Sequence, residues 1–207
     1  MHLQAADAYF KSHGEFVNLR LKFSREWAAG SDVKLQIDCN AHARTCQPIP
    51  CVFVFDRDTE VYKKVVGESS SNRSFPNGVS AVALVPPDWR EESICVEMLY
   101  TKDDLVRRDE HGRRLYLNEE FHERTGHHVS EAVHIPKPGR GPLVREEVYT
   151  LDGDAASIGL TKMNFASAVL SGKGAFEGIN FDGFRGTFDA LQSAAIDAAH
   201  TAGIEVV

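Results

Sequence analysis

The sequence predicts an α/β fold with three layers, α/β/α, around a mainly parallel central sheet. Two predominantly apolar runs, Cys51–Phe55 and Val79–Val85, carry this prediction. Short apolar runs of this kind are typical of strands buried on both faces, as in the centre of a parallel sheet. A third run, Ser93–Leu99, predicts another buried strand. Segments with helical periodicity lie before and after these runs and supply the outer layers.

The length and charge of the chain narrow the class of protein. A chain of 207 residues predicts one domain, and a hydrophobic content of 43% is ordinary for a globular protein. The net charge of −7 excludes a globally basic nucleic-acid coat, although a local basic patch stays open. Because we find neither an apolar run of membrane-spanning length nor a signal-peptide pattern, we expect a cytoplasmic protein without membrane association.

The chain around the first apolar run is predicted to alternate between helices and extended segments. Residues 3–12 and 15–27 have helical periodicity. Residues 33–37 alternate between apolar and polar side chains, which indicates a half-buried strand. After the run, residues 59–66 are predicted to begin a helix, and residues 67–78 are predicted to form a polar loop.

The middle of the chain is predicted to contain an inserted β-hairpin. Residues 104–121 place apolar side chains on both sides of a turn at Asp109–Gly112, as a hairpin requires. Residues 131–147 are rich in proline and glycine and predict an irregular connection. Together these segments form a predicted insertion over about residues 104–147.

Two helices are predicted to close the chain within residues 161–203. The first covers residues 161–170 and has Thr161 as its candidate N-cap. The second covers residues 187–201 and has Thr187 in the same role.

The first candidate site follows the first predicted strand. Asp56 and Asp58 come directly after the apolar run, and in an extended backbone their Cα atoms lie roughly 6.6 Å apart on one side. Open α/β sheets bind ligands at this end of their strands, and two converging carboxylates repel each other unless a cation lies between them. The pattern predicts a Mg²⁺ or Mn²⁺ site. The simpler alternative is a polar strand end in which one acid caps the next helix.

Glu97 is the second candidate because it lies inside the third apolar run. A buried carboxylate is unfavourable unless it is paired with a cation or bound to a metal. Glu97 is therefore predicted either to join the metal site or to pair with an arginine such as Arg90.

Four basic residues of the predicted hairpin form a candidate nucleic-acid-binding surface: Arg107, Arg108, Arg113 and Arg114. A basic hairpin beside an acidic metal site has the charge to hold a phosphate backbone. The alternative, which the sequence favours, is a solvated hairpin whose arginines pair with acidic residues of the same segment.

Other motifs in the sequence give weaker support for a particular function than the acidic residues do. The residue types of Cys39, His42, Cys46 and Cys51 suit zinc, but their spacing fits no common zinc module. The sequence contains no P-loop, no dinucleotide-binding glycine motif and no nucleophile elbow. A haloacid-dehalogenase-type phosphatase is a rival because its signature also begins with Asp-x-Asp after an apolar strand. Here Thr59 falls one position early for that signature.

Three short motifs support a family resemblance. They are Val52–Asp58, which ends in Asp-x-Asp, Ile94–Tyr100, and Leu160–Ala166, which contains Lys162. Together they resemble the toprim-type nuclease domain of overcoming-lysogenization-defect nucleases and related bacterial phage-defence proteins. The resemblance spans roughly residues 50–190.

The resemblance implies metal-dependent cleavage of phosphodiester bonds in DNA or RNA. Asp56 and Asp58 would hold Mg²⁺ or Mn²⁺, and Glu97 would be a further ligand or would orient one. Lys162 would steady the scissile phosphate. The resemblance also implies a role in anti-phage defence with an ATPase partner subunit, while a homo-oligomer stays open.

The opening motif of the family is not found in this sequence. Toprim domains begin with a strand that ends in Glu-Gly, and that glutamate is a metal ligand or a general acid–base. Here Ala6–Lys11 resembles the residues that follow the glutamate, and Glu15 is a poor replacement. The sequence leaves open a shortened or partial chain, a glutamate supplied by another chain, and a catalytically inactive binding or scaffold subunit.

Overall fold

The computed structural model describes most of the chain, namely residues 1–19, 51–58, 61–66, 72–75, 78–91, 93–153 and 156–204. Several sequence predictions lie wholly or partly outside these residues: the helix 15–27 beyond residue 19, the strand 33–37, and the zinc-type residues Cys39, His42 and Cys46. The described part of the predicted helix, residues 15–19, is not helical, and Phe16 has a positive φ of 49°.

The chain divides into two compact units. The sheet unit comprises Asp7–Val96 and Gly183–Val207, and the loop unit comprises Met1–Ala6 and Glu97–Asp182. Helix α1 (His2–Ser12), which confirms the first predicted helix, contributes residues to both units. The prediction of one domain over the whole chain stays a prediction.

A three-stranded sheet forms the centre of the sheet unit. Strand β1 (Cys51–Phe55) is followed by helix α2 (Val61–Val66), strand β2 (Asn72–Phe75) and strand β3 (Val79–Ala83). Strands β1 and β3 are parallel neighbours, and β2 pairs with β3 in the antiparallel direction. The first two predicted buried strands are therefore confirmed. Strand β2 lies in the segment predicted as a loop, where pairing with β3 satisfies its backbone groups.

The loop unit has little regular structure. Helix α3 (Lys102–Leu105) precedes four strands of two residues each. Strand β4 (Tyr116–Leu117) pairs with β6 (Val144–Arg145), and strand β5 (Val133–His134) pairs with β7 (Tyr149–Thr150). Both pairs are antiparallel. The presence of helices and strands confirms the mixed α/β class. The prediction of a mainly parallel sheet is not confirmed, because three of the four strand pairings in the described residues are antiparallel.

The predicted β-hairpin over residues 104–121 does not form. The turn at Asp109–Gly112 is confirmed. Leu105, however, belongs to α3, because the Thr101 hydroxyl caps that helix by accepting a hydrogen bond from the Asp104 N–H at 3.1 Å. Strand β4 finds its partner in β6, which lies in the segment that was predicted to be irregular.

The predicted strand Ser93–Leu99 is also wrong. Residues Val96–Leu99 form a turn of 3₁₀ helix, and Ser93 has a positive φ of 44°. The Val96 N–H donates to Oδ1 of Asp56 at 3.1 Å. This backbone group is therefore paired with a side chain and not with the backbone of a neighbouring strand. A short apolar run is compatible with either a buried strand or a buried helical turn, and here the tertiary contact selects the turn.

Both predicted C-terminal helices are confirmed. Helix α4 (Lys162–Ser171) begins after Thr161, whose hydroxyl accepts a hydrogen bond from the Asn164 N–H at 3.1 Å. This is the predicted N-cap. Helix α5 (Arg185–Thr201) begins before Thr187, so the N-cap predicted for Thr187 is wrong.

Helix α5 packs across the three strands β1, β2 and β3. The ring of Phe188 contacts the rings of Phe10 and Phe16, at centroid distances of 5.1 and 5.5 Å. Thr187 is fully buried, and its hydroxyl accepts a hydrogen bond from the Val85 N–H at 3.0 Å. This bond ties the helix to the chain just beyond β3.

Among the described helices, none combines the length and the apolarity that crossing a membrane would require.

Replacing Thr187 with valine should lower the free energy of unfolding by about 1–3 kcal/mol. The substitution preserves the side-chain volume but leaves the Val85 N–H without its acceptor. Urea unfolding followed by circular dichroism measures the change. Thr201→Val is the matched control because Thr201 lies at the exposed end of α5, and it should change stability by less than about 0.5 kcal/mol. Equal stability of the two variants would contradict the role of the Thr187 bond.

Candidate functional site

Asp56 and Asp58 lie immediately after β1 in the sheet unit, and both are exposed. In the parallel pair, Phe55 lies opposite Ala83, and the Leu84 N–H donates to the Phe55 carbonyl at 2.9 Å. Strands β1 and β3 therefore end at the same edge of the sheet. The two acids occupy this carboxyl edge, which is where the sequence predicted them and where ligands of open α/β sheets bind.

The backbone around the two acids is fixed by contacts with the segment before the 3₁₀ turn. Asp56 accepts the hydrogen bond from Val96, and the Arg57 N–H donates to the Ile94 carbonyl at 2.7 Å. The guanidinium of Arg57 lies over the ring of Tyr62 on α2, 5.1 Å from its centroid. The Asp56 carboxylate is thus held in one orientation.

The donor chemistry of Asp56 and Asp58 fits a hard divalent cation. Mg²⁺ and Mn²⁺ prefer carboxylate oxygens, and Mg²⁺ is often held by one or two carboxylates together with waters and substrate phosphates. In the part of the chain that the structure describes, no cluster of three or more His, Cys, Asp or Glu side chains has the geometry of a metal site. At this edge of the sheet, Asp56 and Asp58 have the carboxylate oxygens that such an ion would require.

Glu97 and Lys162 both lie in the loop unit, where the structure brings them together. Oε2 of Glu97 lies 3.1 Å from Nζ of Lys162. The Glu97 side chain is 4% exposed and the Lys162 side chain is 36% exposed, so the pair is buried at the carboxylate and accessible near the ammonium. The predicted need of Glu97 for a cation is met by Lys162. Arg90, the partner considered from sequence, donates to the carbonyl of Ser93 at 3.1 Å.

Two residues that sequence reasoning missed complete this arrangement. Nε2 of His2 lies 3.6 Å from Oε1 of Glu97, and Nδ1 of His2 lies 3.0 Å from the Tyr100 hydroxyl. Burial raises the pKa of Tyr100, and the negative charges of Glu97 and Asp104 raise it further, so the phenol stays protonated. We call His2, Glu97, Tyr100 and Lys162 the Glu97 cluster. No local pattern around His2 indicates this role.

Each of the four arginines predicted to bind nucleic acid has a carboxylate partner in the loop unit. The pairs are Arg107 with Asp104 at 2.7 Å, Arg108 with Glu131 at 2.7 Å, Arg113 with Asp109 at 2.8 Å, and Arg114 with Glu120 at 2.9 Å and Glu131 at 2.7 Å. Three of the side chains remain partly exposed, whereas Arg114 is 3% exposed. Ion pairing is the alternative that the sequence favoured, and nucleic-acid binding by these residues stays a prediction.

Arg114 is the centre of a polar network. Its guanidinium lies 3.7 Å from the centroid of the Tyr116 ring and donates hydrogen bonds to Glu120 and Glu131. Burial alone would raise the pKa of Glu131. Hydrogen bonds from Arg114, Tyr116 and Arg108 outweigh that effect and lower the pKa of Glu131 to about 2.

Comparison with known proteins identifies no relative of this chain. No family model matches it, no curated protein matches it, and no solved structure matches it. The toprim resemblance therefore stays a prediction that rests on its three motifs.

The free energy of unfolding should fall as the pH is lowered from about 4.5 to about 2. Glu131 has an ordinary pKa of 4.5 when unfolded and a pKa of about 2 when folded, so the folded state binds fewer protons in this interval. The stabilisation from Glu131 is complete above pH 4.5 and is lost as the pH falls toward 2. Glu131→Gln should flatten this part of the stability curve.

Urea unfolding at a series of pH values measures this dependence. Glu123→Gln is the matched control because the Glu123 side chain is exposed, and it should keep the wild-type slope. A wild-type slope in Glu131→Gln would show that the Arg114 network does not couple stability to pH.

Proposed function

We propose that this protein is a metal-dependent nuclease, or a subunit derived from one, that uses Mg²⁺ or Mn²⁺ held by Asp56 and Asp58. The observation that carries the proposal is the position of these two carboxylates at the carboxyl edge of the parallel β1–β3 pair. The toprim resemblance supports the same chemistry. It also favours a three-layer α/β/α arrangement around a mainly parallel sheet as the full architecture.

Asp56 and Asp58 would act as the oxygen ligands. The bond from Val96 holds the Asp56 carboxylate in place before any ligand arrives, which reduces the ordering required on binding. Asp58 presents an exposed carboxylate one residue beyond Arg57. When bound, the divalent ion would supply charge neutralisation for the phosphodiester and an activated water.

Lys162 would contact a phosphate oxygen through its partly exposed ammonium. Glu97 is already paired with that ammonium at 3.1 Å. We therefore assign Glu97 to holding Lys162 in place, a role that differs from the two that the resemblance implies, a metal ligand or a residue that orients one. A cation with a fixed position binds a phosphate with less loss of side-chain entropy than a freely rotating one.

The resemblance favours a bacterial anti-phage system, with DNA or RNA as the substrate and an ATPase as the partner subunit. Arg107, Arg108 and Arg113 would add positive charge for the phosphate backbone because their side chains remain partly exposed. Arg114 is excluded from that surface by its burial. These three arginines would act beside their intramolecular carboxylates, which weakens their expected contribution.

A catalytically inactive binding or scaffold subunit, working with an ATPase, is the second candidate. The observation that favours it is the neutralisation of Glu97 by Lys162. A carboxylate held in an ion pair is not open to a metal, so two of the three predicted ligands remain for the ion.

Cleavage of plasmid DNA, single-stranded DNA and RNA should require Mg²⁺ or Mn²⁺ and should depend on both acids. Asp56→Asn and Asp58→Asn are each expected to lower the rate about 100-fold or more, because a bound metal contributes several kcal/mol to catalysis and 1.4 kcal/mol is tenfold in rate. Asp88→Asn is the matched control because it changes another exposed aspartate of the sheet unit, and it should cleave as wild type does.

The protein is assayed alone and with the product of its neighbouring gene. If wild type makes no metal-dependent cut in either assay, the nuclease proposal is wrong. The scaffold function is then favoured if Asp56→Asn and Asp58→Asn keep protection against phage. A phosphorylated Asp56 after incubation with a small phosphoester would instead indicate phosphatase chemistry.

A further inference from the structure

His2 has a buried position in which both ring nitrogens face polar groups. Its side chain is 10% exposed, and its ring packs against the rings of Tyr100 and Phe165 at centroid distances of 5.7 and 6.1 Å. Nδ1 faces the Tyr100 hydroxyl at 3.0 Å, and Nε2 faces Glu97 at 3.6 Å. A buried imidazole requires polar partners, and here one of the two partners is the carboxylate that holds Lys162.

The hydrogen bond between the Tyr100 hydroxyl and Nδ1 of His2 orients the imidazole. Because the phenol stays protonated, it can donate to Nδ1 of His2. A neutral imidazole that accepts at Nδ1 carries its proton on Nε2. That N–H then faces Oε1 of Glu97, as in the histidine–carboxylate pairs in which one group orients the other.

The two oxygens of Glu97 face different groups. Oε1 faces His2, and Oε2 lies 3.1 Å from Lys162. Rotation of this buried carboxylate would separate Oε2 from the Lys162 ammonium and Oε1 from His2. Loss of the contact at Oε1 would remove one restraint on the carboxylate and so loosen its hold on the Lys162 ammonium.

We propose that His2 is a positioning residue for Lys162. By engaging Oε1 of Glu97, it keeps Oε2 directed at the Lys162 ammonium and so fixes the one cation of the Glu97 cluster that reaches the solvent. The contribution to phosphodiester cleavage rests on the proposed function, in which Lys162 contacts the phosphate. The effect on the position of Lys162 does not depend on that function.

The test compares two substitutions that separate packing from polar contact. His2→Phe keeps an aromatic ring against Tyr100 and Phe165 but removes both nitrogens. His2→Gln loses the ring but keeps an amide that can accept from Tyr100 and donate to Glu97. A purely structural role predicts that phenylalanine is the better replacement, whereas the positioning role predicts that glutamine is.

The readout is the NMR signal of the Lys162 ε protons in protein labelled with ¹³C at lysine Cε, assigned by its loss in Lys162→Arg. An immobilised lysine has two inequivalent ε protons, and a freely rotating lysine has an averaged pair. We expect inequivalent protons in wild type and His2→Gln and averaged protons in His2→Phe. His13→Phe is the control, since His13 is exposed just beyond α1, and it should match wild type.

Any other combination of results for the two His2 variants overturns the proposal. If His2→Phe does not fold, Tyr100→Phe decides, because it removes only the hydroxyl that orients His2. Its Lys162 ε protons should move toward the averaged value, and an unchanged signal overturns the proposal.

The cleavage assay adds a second readout. His2→Phe should lower the rate about 10- to 100-fold, because small misplacements of a positioned group have effects of this size, and His2→Gln should restore most of it. If wild type cleaves nothing, the proposed function fails, while the NMR comparison still decides the role of His2.

Discussion

Pairing of buried charge is the constraint on which the loop unit depends. Its strands contain two residues each, so backbone ladders contribute little to its order. The buried guanidinium of Arg114 instead connects Glu120 and Glu131, which come from separate turns of the chain, and lies over the ring of Tyr116. A buried guanidinium without these partners would be strongly unfavourable, so the turns that supply them are held in place.

The same constraint shapes the Glu97 cluster. Burial of the Glu97 carboxylate requires a cation, and Lys162 at the start of α4 supplies it. His2 then faces the other oxygen of the carboxylate, and the Tyr100 hydroxyl contacts His2. The outcome is a lysine whose ammonium is held by a buried carboxylate and still reaches solvent. Phosphate recognition uses cations of this kind. In the sheet unit, the position of Asp56 is set instead by the parallel pairing of β1 and β3, which places Asp56 at the edge of the sheet.

Several features were predictable because they depend on neighbouring residues in the sequence. The apolar runs that became β1 and β3 have the composition of buried strands, and the carboxyl edge then follows from their parallel direction. Thr161 could be identified as an N-cap because capping is a local bond to the first turn of the helix. The position of Asp56 and Asp58 directly after β1 required nothing beyond the sequence.

The sequence by itself determined the mixed α/β class, the strands β1 and β3, the C-terminal helices and the acids directly after β1. Only the tertiary structure decided that Val96–Leu99 turns instead of extending, that β4 pairs with β6, and that Glu97 meets Lys162 and His2. The physical reason is the distance along the chain between the residues that interact. Periodicity and capping are local, whereas the partner of a backbone group or of a buried charge comes from a distant segment.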